Sequence, residues 1–358
     1  DPSKWRRTKV AFSCHDALFQ GRFQHRHDSC HMLDIPHDML ESITFDMALK
    51  VGQSGDEKTR CVNTLAAGLL FSDKALTVSP SYARELATDP ERCLGLGSVF
   101  AKTQPVGILN GVGEGIWPSE RDFASMAGLD CGTYTAETLS EAKAVSKAAY
   151  RRKCSLPETP GPLMCFVGRL DLQRGYDLLL DALEEVFADE ADVQVIVVGA
   201  GPDDLVQRTR DLQGKFPAKL SFAGWMGSEK YAVMAACDYT LLPSRWEPCG
   251  QVQMEAMRMG TLPIVAPIGG LKDTVEHGVN GLWIEGQMII EAVPDVESSR
   301  SIASAIRCAV ELHEYAPSDE DRMKQAAMEA AADFTWGLAA FQYEVLFDEM
   351  GAYDIFAE

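Results

Sequence analysis

From Gly161 onward the chain repeats one unit, a short apolar run followed by an amphipathic stretch, and this rhythm limits the fold more than any other feature. Leu163 to Val167 (LMCFV) has the length and composition of a buried strand. Tyr176 to Phe187 follows with leucines at helical spacing, and Val193 to Val198 (VQVIVV) is the next strand. The pattern predicts a helix near Asp203 to Gln213, a strand at Leu220 to Ala223 and a helix near Ser228 to Ala236. A strand at Tyr239 to Leu242, a helix at Gln251 to Met259 and a strand at Leu262 to Ala266 complete the series. Strands and helices alternating through short turns build an α/β, doubly wound parallel sheet.

The first 150 residues are less regular. They suggest strands at Lys9 to Ser13, Ala75 to Val78 and Val106 to Leu109, with helices at Tyr82 to Ala87 and Leu139 to Lys153. Pro157 to Pro162 (PETPGP) is the clearest linker, so the expected domains are 1–158 and 159–332, followed by a helical tail at 333–358. Phe334, Leu338, Phe341 and Val345 fall on one face of that tail, which is expected to be buried on the first domain.

Charge narrows the partners. With 33 Lys+Arg against 53 Asp+Glu the net charge is -20, which disfavours nucleic acid. No apolar stretch approaches the roughly 20 residues of a membrane span. The ten cysteines include no C-x-x-C pair, consistent with reduced thiols rather than a disulfide framework. His25, His27, Cys30 and His31 cluster in HRHDSCH, but zinc usually draws ligands from two separated pairs, and a solvated loop is expected. Asp319-Glu320-Asp321 reads as a solvated helix cap, and no metal site is expected. The chain starts Asp1-Pro2 almost directly before its first strand, so a targeting segment is expected to be removed or not included.

Ligands of such sheets bind beyond the carboxyl ends of the strands. Gly199-Ala200-Gly201 could be half of a dinucleotide fingerprint, but Asp204 replaces the third glycine and a tight turn is the better reading. Two other stretches carry more chemistry. In Gly168-Arg169-Leu170-Asp171-Leu172-Gln173-Arg174-Gly175, two arginines can aim their guanidinium forks at one diphosphate, although solvated arginines would look the same. In Pro243-Ser244-Arg245-Trp246-Glu247-Pro248-Cys249-Gly250 and the helix after it, Glu247 and Glu255 could accept hydrogen bonds from sugar hydroxyls, or simply be solvated acids. Ile268-Gly269-Gly270-Leu271 then opens a helix where backbone N–H groups can approach a phosphate.

The stretch SRWEPCGQVQMEAMRMGTLPIVAPIGGLKDTVEHGVNG, with HDALFQG (15–21), SDKALTVSPSYARE (72–85), GILNG (107–111) and Phe334-Thr335-Trp336 before Tyr343, resembles the starch and glycogen synthases. These are retaining glucosyltransferases of the GT-B architecture, two Rossmann-like domains facing across a cleft. The resemblance implies transfer of glucose from ADP-glucose, rather than UDP-glucose, to the non-reducing end of an α-1,4-glucan, without metal or other cofactor. It implies catalytic roles for His15, Arg169, Arg174 and Glu247. It implies donor contacts from Asn110, Gly168, Cys249, Gly250, Glu255, Ile268, Gly269, Gly270 and Leu271. A plastid stroma is the implied compartment in a plant or alga, a cytoplasm elsewhere, with starch granules as a further partner.

Several positions depart from the family pattern. Asp16 replaces an asparagine, Arg174 a lysine, Ile268 a threonine, Gly113 an aspartate and Ala66 a lysine. The family's Lys-x-Gly-Gly-Leu loop does not occur, so the first domain is expected to be N-terminally incomplete and the chain alone weakly active or inactive. A catalytically impaired scaffold relative is the alternative. A sucrose-type GT-B enzyme is a third reading, disfavoured by EPCG together with IGGLKDTV.

Overall fold

The computed structural model describes residues 8–26, 29, 33–47, 59–122, 125, 132–286 and 295–351, in two compact units formed by 1–109 with 339–358 and by 110–338. His27, Cys30 and His31 of the histidine–cysteine cluster lie outside the described residues. Among the described residues no helix is long and apolar enough to cross a membrane, and the eight described cysteines are free thiols.

In the first unit, β1 (Ala11–Cys14), β5 (Lys74–Thr77) and β6 (Val106–Gly107) form a parallel sheet in the order β1-β5-β6. An antiparallel sheet that the pattern did not announce joins β2 (Arg22–Gln24), β4 (Thr59–Asn63) and β3 (Thr44–Met47). Helices of this unit include α1 (His37–Ser42), α2 (Thr64–Phe71), α3 (Pro80–Thr88) and α4 (Gly97–Thr103). Local chemistry sets two of their starts. Asn63 accepts from the Ala66 N–H at 3.0 Å, and Ser79 from the Tyr82 N–H at 3.2 Å with Pro80 next in the chain. Tyr82, Leu86, Phe100 and Leu69 fill the core beneath them.

The second unit is a six-stranded, all-parallel sheet. Its strands are β7 (Leu163–Arg169), β8 (Gln194–Ala200), β9 (Leu220–Gly224), β10 (Tyr239–Leu242), β11 (Leu262–Val265) and β12 (Leu282–Trp283), in the order β12-β11-β10-β7-β8-β9. Helices α5 (Leu139–Lys153), α6 (Tyr176–Ala188), α7 (Asp203–Lys215), α8 (Lys230–Ala236), α9 (Val252–Arg258) and α10 (Gly269–Thr274) belong to this unit. The long helices α11 (Val296–Tyr315) and α12 (Pro317–Ala331) complete it. Strands buried on both faces read as continuous apolar runs, which is why this half is legible in sequence. The chain lays β8 and β9 on one side of β7 and β10 to β12 on the other, so the winding reverses between β7 and β10. A crevice at such a reversal is where ligands of open α/β sheets bind.

The structure places the boundary elsewhere than at 158/159. Among the described residues, 110–122 and 132–158 belong to the second unit. The Lys143 ammonium donates to the carbonyls of Cys237 at 2.6 Å and Ala235 at 3.2 Å, and the Tyr134 hydroxyl to that of Met259 at 3.0 Å. The proline-rich segment is no free linker, because Arg151 pins it by donating to the carbonyls of Thr159 at 2.7 Å and Gly161 at 2.6 Å. Composition alone could not show that clamp.

The tail helix α13 (Trp336–Glu349) also differs from expectation. Leu338, Phe341 and Val345 are exposed at 45%, 60% and 45%. The packed face is instead Ala339, Tyr343, Leu346 and Met350, against Leu76, Ile108, Val106 and Ala11 of the first unit. Apolar residues surround this helix, so periodicity did not single out the buried stripe.

Candidate functional site

Arg169 ends β7, Arg174 lies in the turn that follows, and Glu247 lies in the loop after β10. All three therefore emerge at the carboxyl edge of the sheet, at its winding reversal. The two turns are tied together: the Arg245 N–H donates to the Gln173 carbonyl at 2.8 Å, and Arg245 Nη1 to the Leu172 carbonyl at 2.8 Å. Gly175 has φ +62°, and a Cβ there would stand 1.9 Å from the Pro243 carbonyl oxygen, so only glycine allows this approach.

At the centre Arg174 Nη1 forms an ion pair with Glu247 Oε2, and the Ser244 hydroxyl lies 3.4 Å from the same oxygen. Glu247 is buried at 4% exposure. Arg169 is exposed, braced by Asp171 at 3.2 Å and by Gln173 Oε1 at 2.6 Å. Asp171 also accepts from the Arg174 N–H at 3.0 Å, so one carboxylate orders both arginines. The pair expected from spacing is thus two cations beside one buried carboxylate.

The third turn closes the same edge. The Gly270 N–H donates to the Glu247 carbonyl at 3.0 Å, and a Cβ on Gly270 would meet the Cys249 carbonyl oxygen at 1.9 Å. That N–H is therefore engaged in holding the Glu247 loop, which departs from its expected use toward a phosphate. Ile268 precedes α10, and Leu271 is fully buried in the core. Gly168 lies in β7, two residues before the buried Leu170. Gly250 is a left-handed residue at φ +70° just before α9. Burial pushes the Cys249 thiol up to about 11, partly offset by a backbone contact from Asn110, so it stays protonated near neutrality. Gly199 and Ala200 are the last residues of β8 rather than the tight turn expected from sequence, and the Ala200 carbonyl accepts from the Leu170 N–H at 2.9 Å.

Glu255 is held differently from Glu247. Its carboxylate accepts from Lys230 Nζ at 2.6 Å and from the Tyr231 hydroxyl at 3.0 Å, both on α8. Burial and then the Glu255 charge push the Tyr231 phenol above its ordinary value. Neither α8 residue stands in a recognisable motif, and no local signal marks them. In the first unit, His15 is exposed on the turn after β1. The Ala17 N–H there donates to the Tyr82 hydroxyl at 2.9 Å, and Asp16 folds back to accept from the Leu18 N–H at 2.9 Å.

Asp238, at the opposite end of β10, forms with His313 and Glu320 a group whose ligand atoms lie within 4.8 Å of one another. Lys147 at 2.8 Å and Lys324 at 3.1 Å already neutralise Asp238, and Lys324 lies 3.3 Å from Glu320. Burial disfavours the Asp238 charge, but Lys324 and Lys147 outweigh it and hold the carboxyl below its usual range. Two bound ammonium groups make this an ion-pair network rather than a cation cradle. Glu320 is consequently buried at 2% exposure, not the solvated cap expected from sequence.

Comparison with known proteins places this geometry. The starch synthase catalytic domain family matches residues 1–102, and the glycosyl transferases group 1 family matches residues 147–309. A glycogen synthase from Myxococcus xanthus is 36% identical over 96% of this chain and 66% of its own length. Granule-bound starch synthase 1 of Pisum sativum is 31% identical over 95% of this chain and 54% of its own length. The chain thus spans between half and two thirds of these relatives. The catalytic domain of starch synthase IV from Arabidopsis thaliana, solved with ADP and acarbose, matches with a TM-score of 0.75 at 25% identity, over 97% of this chain and 68% of that one. The reversal of the sheet, the motifs at its carboxyl edge and these likenesses agree, and the chain belongs to the starch and glycogen synthase family of GT-B glycosyltransferases.

Proposed function

We propose that the carboxyl edge of the second unit binds ADP-glucose, and that the activity served is retaining transfer of its glucose to the 4-hydroxyl of an α-1,4-glucan. The observation that supports this reading best is the Arg174–Glu247 pair at the winding reversal, with Arg169 beside it. A diphosphate carries its charge where Arg169 and Arg174 can share it, and charge-assisted bonds to guanidinium forks are strong. The two guanidinium cations stabilise the negative charge that grows on the departing ADP, the role a metal ion would otherwise fill. Glu247, released from Arg174 as the arginine turns to phosphate, accepts hydroxyls of the donor glucose. His15 is the candidate of the first unit. Glucan, and in a plant or alga the starch granule and plastid stroma, are the partner and setting that the plant relatives suggest.

An impaired glucan-associated relative is the second reading, favoured by two departures. Alanine at position 66 carries no charge where the family pattern has lysine, and Asp16 adds a carboxylate beside His15 in the chain. Labelled-glucose incorporation from ADP-glucose into glycogen, beside a calorimetric titration with ADP, tests both. ADP binding weakened in Arg174→Ala, together with measurable incorporation by the wild type, supports the enzyme. ADP binding without incorporation upholds the donor site, the outcome expected of this chain alone, and no ADP binding overturns the donor site.

A further inference from the structure

A sizeable cavity of the second unit lies away from the carboxyl edge. It lies at the outer edge of the sheet, where β12, the turn before it, α11 and α12 enclose about 790 Å³. None of its lining residues comes from 168–175, 243–255 or 268–271. A volume of this order is within the range of roughly 300–1,000 Å³ typical of small-molecule sites.

The lining is amphipathic in a specific way. Trp283 has its polar groups engaged, the indole N–H on the Val275 carbonyl at 2.9 Å and the backbone N–H on His277 Nδ1 at 2.9 Å. What it contributes to the cavity is therefore ring surface, with the His277 ring centroid 6.0 Å away. Glu285, Ser301 and Asp319 supply acceptors, and Asp319 is ion-paired with Arg322. The acids outnumber the arginine on a chain of net charge -20, so an anion such as a nucleoside diphosphate is poorly matched. A neutral polyhydroxylated ring fits: its C–H face packs on the aromatic surface, and its hydroxyls donate to the carboxylates and serines.

We propose that this cavity binds a short stretch of neutral α-linked glucan, separately from the donor site. The proposal rests on the glucan reading above, and it gives the second unit a hold on polymer that does not involve the residues gripping the nucleotide. A neutral chain held there would keep acceptor ends at high local concentration near the protein.

Maltoheptaose titration into the full chain, by calorimetry and by mobility in amylopectin-containing native gels, tests it. Wild type should bind, and Ser304→Trp, which fills the cavity from an exposed position on α11, should weaken binding about tenfold or more, a loss of about 1.4 kcal/mol. Trp283→Ala should do the same, and both variants should keep wild-type ADP affinity, showing that they are folded. Arg174→Ala should keep maltoheptaose binding while its ADP affinity falls. No maltoheptaose binding by wild type, or unchanged binding in Ser304→Trp, overturns the cavity proposal while ADP binding still stands for the donor site. Maltoheptaose binding without ADP binding would overturn the donor site and leave the cavity.

Discussion

Arg245, fully buried just after β10, makes a two-pronged ion pair with Asp177 on α6, Nη1 to Oδ1 at 2.6 Å and Nη2 to Oδ2 at 2.8 Å. It thereby bolts the loop carrying Glu247 to the helix that follows the arginine turn. Removing one partner of a buried pair leaves the other charge uncompensated, which costs about 3–5 kcal/mol. Asp177 is 20% exposed on its side chain, which moderates the loss. Asp177→Ala should therefore destabilise by about 2–4 kcal/mol in urea unfolding and weaken ADP binding as the two turns part. Unchanged stability would show that other contacts hold Arg245.

The Arg174–Glu247 pair makes opposite predictions for its two members. Arg174→Ala removes a charge-assisted contact worth about 1.5–3 kcal/mol, so ADP affinity should fall roughly 10- to 100-fold. Glu247→Gln frees Arg174 from its competitor. ADP affinity should then rise, by up to about tenfold, while glucose transfer falls. Calorimetry with ADP separates the signs, and weaker ADP binding in Glu247→Gln would contradict a shared arginine.

Gly175→Ala should be poorly tolerated. Its φ of +62° strains any side chain, and the added Cβ would stand 1.9 Å from the Pro243 carbonyl. The left-handed backbone alone costs of order 1–3 kcal/mol, and the clash adds to it. A fall in thermal midpoint of several degrees is the expected result. An unchanged midpoint would mean that the two turns separate without cost.

Lys143 gives a dependence on pH. Burial, and then the neighbouring Lys324 charge, pull its ammonium from an ordinary 10.5 down to about 7. Between these values the unfolded chain binds a proton that the folded chain lacks. Its contribution to stability therefore declines as pH falls from about 10.5 to about 7, and levels off below. Lys143→Met, which cannot titrate, should lack this slope of at most about 1.4 kcal/mol per pH unit. Parallel pH profiles for wild type and variant would show that Lys143 titrates normally.

Much of the second unit was decided by the sequence itself. The strands at 163–169, 194–200, 220–224, 239–242 and 262–265 are nearly the runs that apolar composition marks, because residues buried on both faces leave no alternation to misread. The arginine turn and the Glu247 loop were legible for the same reason: each follows such a strand, and parallel strands send their turns to one edge. Tertiary structure decided what lies far apart in sequence. It brought Arg174 onto Glu247, gave Glu255 to Lys230 and Tyr231, and gave the Gly270 N–H to the Glu247 carbonyl. It turned the proline-rich stretch from a linker into part of a unit through Arg151, buried Glu320 among lysines, and chose Ala339 and Leu346 over Phe341 and Val345 as the packed face of α13. Periodicity records which residues can be buried together on one element. Ion pairs and the choice between apolar faces depend on which other elements arrive beside them, and only the assembled chain supplies that.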